Sequence, residues 1–406
     1  MKANLKRHDN SNTPSSAKPP GSKKKRSKII KPNTKKKKQG GQKGHVGKTF
    51  KPKATRTVEH KPDNCNNCGS NDLKVIKTSS RNITEVTKII TKETVCHRNY
   101  ECECKECGQK GIISDSVKEI PKKGNYSKNV IKDVVLGWVS RTTINMIATN
   151  SERNIGLPIS TGTIQNILFM IGFCLELPAM GILAELRKSK ILHMDETSYS
   201  VMGKRFWVWV IHDPYSKLTY FTIRRSRGAG VVSELLPDWN GVLVCDGWKP
   251  YKTIKIIQRC MVHILREAKD LAEKNPDVKL MYEKLCKIYA DAKKPRSKKD
   301  RKAAHASLNR RVQRLVLEFR DHPELTKYMD KLERARPDMF RFVLNPRIPS
   351  ENNPAERALR EIVIHRKIRG ALRSLNGVVI LGNILTCVAT WKATKPDWLD
   401  ELVKYV

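Results

Sequence analysis

The sequence predicts an α/β protein built on a mixed sheet, preceded by a helical region and a small cysteine module. Three observations predict it. Strand-like runs at residues 191–195, 205–211 and 217–223 are followed by a helical run, 230–236, and a fourth strand, 241–245; that order gives a mixed sheet. Apolar residues recur at helical spacing between residues 125 and 188, as in Val130, Ile131, Val134, Val135 and Trp138. Six of the eleven cysteines crowd between Cys65 and Cys107, a pattern of metal binding in a reducing compartment rather than of a disulfide framework.

The first element is electrostatic. The 406 residues hold 80 Lys plus Arg against 40 Asp plus Glu, a formal charge of +40. Such a field attracts polyanions and names nucleic acid as a partner class without naming an activity. Residues 1–59 hold 19 Lys or Arg against Asp9 and Glu59, with Pro, Ser and Gly throughout. They are predicted to form a disordered basic arm that grips phosphates; a solubilising tail is the plainer alternative. Gly40-Gly41-Gln42-Lys43-Gly44-His45 lacks the preceding strand and spacing of a nucleotide-binding loop. No apolar leader follows Met1, and the uncharged apolar run 167–175 is too short to cross a bilayer. The expected location is cytoplasmic and nucleoid-associated, with no membrane partner.

Residues 60–118 form the cysteine module, with strand-like runs at 73–76 and 83–94. Cys65-Asn66-Asn67-Cys68-Gly69 and Cys104-Lys105-Glu106-Cys107-Gly108 are two Cys-x-x-Cys knuckles. Together they offer four thiolates, the tetrahedral set that structural Zn²⁺ prefers. The 35 residues between Cys68 and Cys104 must then hold their own hairpin, and Cys96, His97 and Cys102 are alternative ligands. The competing reading is a set of unliganded thiols.

In the helical region, stretches at 142–154 and 161–175 are separated by Gly156-Leu157-Pro158-Ile159, with Ser160 or Thr161 as cap. Two readings stand: a helix-turn-helix with its second helix in a major groove, or ordinary packing against a neighbour. In the sheet, Asp195 and Asp246 each end an apolar strand, and Asp213-Pro214 marks a turn. Ligands of α/β folds gather at the carboxyl ends of strands, and two acids there suit Mg²⁺. A lone Asp in that place more often forms a turn or a cap. Residues 264–340 read as helical and basic, and a last helix begins near Asn353. With Asn353 as N-cap and Pro354 first in the helix, Glu356 completes a capping box. Spacing alone does not decide between that role and a third metal ligand.

Asp195-Glu196-Thr197, Cys245-Asp246-Gly247-Trp248-x-x-Tyr251 and Asn352-Asn353-x-Ala355-Glu356-Arg357-x-Leu359-Arg360 together resemble the insertion sequence 66 family of DDE transposases. So do Arg259-Cys260-x-x-His263-x-x-Arg266, the Gly40–His45 stretch and the paired knuckles, which extends the similarity from about residue 11 to the C-terminus. The resemblance implies an RNase H-like catalytic core over 189–263 and 341–390, a helical basic insertion over 264–340, and a C-terminal tail at 391–406. It implies Asp195, Asp246 and Glu356 as ligands of Mg²⁺ or Mn²⁺. The reaction implied is hydrolysis at element ends, followed by attack of the freed 3′ hydroxyl on target DNA. Lys249, Arg357, Arg360 and Arg366 are then the expected DNA-binding cations, with His263 and Arg266 in support; a satisfied core histidine is an equal reading of His263. The partners implied are element-end and target DNA and further copies of the chain assembled on it. A non-catalytic DNA-binding protein or transposase remnant is the main rival, and a ribonuclease of the same fold the second.

Overall fold

The computed structural model describes residues 125–405 without a break. Of the earlier residues it describes Thr57, 66–68, 70–72, 74–76, Ser79, 92–96, Lys105 and Cys107. The basic arm, apart from Thr57, and the thiols of Cys65 and Cys104 therefore lie outside the described residues. The chain divides into two compact units, Pro20–His97 and the remainder. In the former, residues 66–68 form a turn, and the described parts of the runs read as strands, 74–76 and 92–94, carry no strand.

The larger unit opens with α1 (Lys128–Val139), α2 (Ile144–Ile155), α3 (Thr161–Cys174) and α4 (Glu176–Lys188). Ser160 caps α3 by accepting a hydrogen bond from the Thr163 amide, and Gly156 ends α2 in the left-handed conformation. Three strands follow, β1 (Ile191–Val201), β2 (Lys204–His212) and β3 (Thr219–Arg224), paired antiparallel in sequence order. After α5 (Ala229–Leu235), β4 (Val242–Cys245) and β5 (Ile256–Arg259) add parallel on the other side of β1. The sheet order is β3-β2-β1-β4-β5. Two sequence expectations change here. β1 continues six residues past Asp195, so that acid lies within a strand rather than at its end, and β5 is an additional strand.

Five helices come next: α6 (Met261–Lys274), α7 (Lys279–Ala292), α8 (Arg301–Phe319), α9 (Thr326–Ala335) and the single turn α10 (Arg341–Leu344). They close around their own apolar cluster, which includes Met261, Leu285, Val312, Met329 and Phe340. The insertion is therefore a helical lobe with an independent core. The chain then returns through α11 (Asn353–Arg369), α12 (Leu375–Thr394) and α13 (Trp398–Val403).

The first four helices share one continuous core with the sheet and α11–α13, so packing shows no boundary near residue 188. α3 buries Ile164, Ile167, Leu168 and Ile171, and a β-carbon on Gly172 would lie 2.5 Å from Ile380 of α12. That close approach makes α3 a packing helix over most of its length. The stretch expected as a tail from 391 is the end of α12 plus α13, whose Leu402 and Val403 belong to the core.

α12 is long and apolar enough to span a membrane, yet most of it is buried in the protein. This is a longer apolar run than the one the sequence suggested. It packs on β3 and on α3 and α4, and a helix buried on both sides is apolar all round. Its Thr386 and Thr390 hydroxyls accept the Phe221 and Thr219 amides of the edge strand β3, at 2.9 and 3.0 Å. An unpaired sheet edge is thereby covered from within the chain.

Candidate active site

The three acids come from three elements. β1 and β4 run parallel in the register Ile191↔Val242, Leu192↔Leu243 and His193↔Val244. Carried two residues on, that register sets Asp195 beside Asp246, on strands roughly 5 Å apart. Asp246 follows β4 directly and accepts the Trp248 amide at 2.8 Å. The turn needs Gly247: its φ is +81°, and a β-carbon would lie 1.8 Å from the Arg259 guanidinium carbon. Glu356 stands in the first turn of α11, where the helix dipole favours an acid.

Their proximity is visible in the electrostatics. Burial first, then the neighbouring Glu196 and Asp246, and also Glu356, push the Asp195 carboxyl well above the usual carboxylate range. Two acids on neighbouring inner strands with a third from α11 beside them fit a hard divalent cation, whose charge would relieve their repulsion. A second sign of fit is Glu356 Oε1, a buried oxygen with no hydrogen-bond partner.

The capping box does not form. The N-cap of α11 is Asn352, not Asn353, and it makes no side-chain bond to the helix. The Asn352 side chain is fully buried and turned away: Nδ2 donates to the Met194 carbonyl at 3.0 Å, and Oδ1 lies 3.0 Å from His193 Nδ1. With the amide so oriented, His193 must donate from Nδ1. Burial lowers its pKa to about 4, so the ring is neutral. The Asn352 amide also donates to Cys260 Sγ at 3.2 Å, and the Met261 amide donates to the Ser350 carbonyl at 3.0 Å. One asparagine thus ties the start of α11 to the residues just before Asp195 and to the start of α6. The sequence motif contained it, but its role was not read from spacing.

Glu196, the neighbour of Asp195, was also missed. It is buried and accepts from Arg227, at 2.7 Å to Nε, and from the Tyr251 hydroxyl. Arg227 lies between the rings of Trp207 and Trp248, 4.6 and 4.3 Å from their centroids. Burial and then Asp246 raise the Glu196 carboxyl, against which Arg227 works.

His263 and Arg266 lie one turn apart on α6. His263 Nδ1 is 3.7 Å from Glu356 Oε1, and neither atom has a hydrogen-bond partner. Burial lowers the pKa of His263 while Glu356 raises it. Arg266, Lys249, Arg357 and Arg360 are exposed. Arg366 is not a free surface cation: its guanidinium is bound to the Ser198 carbonyl and hydroxyl of β1. Of the four knuckle cysteines, Cys68 and Cys107 are described, both as exposed free thiols.

Residues 129–379 match the family model described as transposase IS66 family. No curated protein matches the chain significantly. The matched span includes the whole sheet, the helical lobe and all three acids, and covers well over half of the sequence: the chain belongs to the IS66 family of transposases.

Proposed function

We propose that this chain is a metal-dependent DNA transposase that hydrolyses a phosphodiester at each element end and joins the exposed 3′ hydroxyl to target DNA. The observation that carries this reading is the convergence of Asp195, Asp246 and Glu356 from β1, the end of β4 and α11. The sheet order, an antiparallel triplet extended by two parallel strands beside β1, supports an RNase H-like core. The three carboxylates would hold Mg²⁺ or Mn²⁺ through oxygen donors. When bound, such cations lower the pKa of the attacking water or hydroxyl and stabilise the leaving oxygen.

The chain's own residues supply position and charge. Asn352 fixes α11, and with it Glu356, against the strand that carries Asp195. Arg227 and Tyr251 hold Glu196, which keeps β1 from turning over at the site. Lys249, Arg357 and Arg360 are exposed near the acids in sequence and are suited to neutralise phosphates. The basic arm adds sequence-independent grip, and Cys65, Cys68, Cys104 and Cys107 bind a structural Zn²⁺. The protein works on the nucleoid as a homo-oligomer assembled on element ends.

The test is strand cleavage of labelled element-end duplex by the full chain with Mg²⁺ or Mn²⁺. Wild type should cut and chelator should stop it, while Asp246→Asn should bind the duplex and fail to cut. A wild type that binds ends tightly but never cuts would replace this reading with that of a non-catalytic end-binding protein.

A further inference from the structure

We propose that Cys260, His263 and Glu356 form a soft-donor cation site, beside the carboxylate pair, that takes a borderline transition ion such as Zn²⁺ or Co²⁺. The inference rests on the catalytic reading only in sharing Glu356. Cys260 joins β5 to α6, His263 stands in the first turn of α6, and Glu356 stands in the first turn of α11. The two helix starts are bound together by the Met261 amide on the Ser350 carbonyl and the Asn352 amide on Cys260 Sγ. The two helix starts are thus tied by one main-chain bond and by one main-chain bond to the Cys260 sulfur itself.

The geometry fits one ion. One ligand atom from each residue lies within 4.8 Å of the others, and His263 Nδ1 is 3.7 Å from Glu356 Oε1. Tetrahedral ligation by sulfur, nitrogen and oxygen at ordinary bond lengths needs ligand separations of about 3.5 Å, so only small adjustments are required. His263 Nδ1 and Glu356 Oε1 are also buried without a partner. Two facing orphan atoms are uncommon, since buried polar groups almost always find a bond; an ion between them satisfies both.

The chemistry is that of a transition ion. A thiolate and a carboxylate bring two negative charges and a neutral imidazole brings none, which balances a divalent cation. Binding releases the Cys260 proton to solvent. Thiolate and imidazole select Zn²⁺ or Co²⁺ over Mg²⁺. The Asn352 amide on Sγ is the kind of outer contact that orients a metal ligand. Three protein ligands leave a fourth position for water or a phosphate oxygen. Because Glu356 is shared, an ion held here competes with Mg²⁺ for that carboxylate, and Zn²⁺ should inhibit Mg²⁺-dependent cutting.

The experiment is Co²⁺ titration of the reduced full-length chain, read by thiolate-to-cobalt charge-transfer absorption. Wild type is compared with Cys260→Ser, so that any contribution from the N-terminal knuckles cancels in the difference. The expected result is one Co²⁺ fewer per chain in the variant and a positive difference band. His263→Gln, a second variant that spares the buried sulfur, should weaken Co²⁺ binding at this band at least about tenfold. Identical titrations of wild type and both variants would overturn the proposal; if Cys260→Ser fails to fold, an unchanged His263→Gln titration does so alone. A difference band in a wild type that never cuts DNA would remove the catalytic reading and leave this site standing. Cutting without a band would do the reverse.

Discussion

At the scale of single residues, Asn352 explains most of how the site is held. Its side chain satisfies the Met194 carbonyl and Nδ1 of His193, and its main chain reaches Cys260. Asn352→Ala leaves two buried groups without partners, each at a cost of about 1–3 kcal/mol. We expect a lower denaturant midpoint together with a fall in cleavage rate at temperatures where the variant is fully folded and binds DNA normally. A variant that loses stability but cuts at the wild-type rate would make Asn352 a packing residue without a positioning role. The sequence exposed the Asn-Asn pair but not the choice between its members. Asn353, by helix-start chemistry, is the better cap, and only the buried partners on β1 show why Asn352 faces inward.

Among the elements, the sheet edge at β3 gives the clearest energetic prediction. Thr386→Val and Thr390→Val keep shape but remove the hydroxyls that receive two buried amides. Each should cost about 1–3 kcal/mol, measurable by urea unfolding, and the double variant should aggregate sooner through the uncovered edge. Losses below about 0.5 kcal/mol would mean that the edge is not sealed this way. Much at this scale was legible beforehand. The three antiparallel strands and β4 follow from short apolar, β-branched and aromatic runs with a turn signal between them, and α5 from the helical run that precedes β4. β1 looked shorter than it is because Glu196, Thr197 and Ser198 read as polar, whereas Arg227, Tyr251 and Arg366 provide for them from elsewhere in the chain. β5 is only Ile256–Arg259, too short to show a period, and is a strand because β4 pairs with it. Asp246 was readable from its place after β4, whereas Asp195 was singled out by its motif and by a strand end that β1 does not have there. The contact of Glu356 with His263 depends on α6 and α11 meeting, which no local pattern encodes.

For the whole molecule, titration links stability to function. His193 and His365 are buried neutral, with pKa values of about 4 and about 3 against 6.5 in the open chain; burial is the main cause in both. Between pH 6.5 and 4 the unfolded chain therefore binds more protons, so stability present above pH 6.5 is lost as pH falls through this window. Asp195 acts in the opposite sense. Its raised pKa makes ionisation costly when folded, and that penalty disappears on acidification. Asp195→Asn removes one opposing group, while Glu196, also raised, remains. Its denaturant midpoint should therefore fall more steeply than that of wild type from pH 6.5 to about 4, and a slope equal to that of wild type would contradict the raised Asp195 carboxyl. At pH 7 in chelator, Asp195→Asn should also be more stable than wild type, because it removes a carboxylate whose ionisation burial opposes. Mg²⁺ should narrow that gap by stabilising wild type alone. Equal stabilities with and without Mg²⁺ would count against cation binding at the acids.

The three-acid site depends most directly on Glu356. Because Glu356 Oε1 makes no hydrogen bond, Glu356→Gln keeps the side chain's size and costs α11 only the interaction of one charge with the helix dipole. The decisive measurement is Mg²⁺-dependent cleavage of labelled element-end DNA by wild type and Glu356→Gln, with duplex binding followed in parallel. If Glu356 is a metal ligand, the variant folds, binds ends as wild type does and cuts them slower by orders of magnitude. A Glu356→Gln protein that cuts at the wild-type rate would contradict the three-acid site.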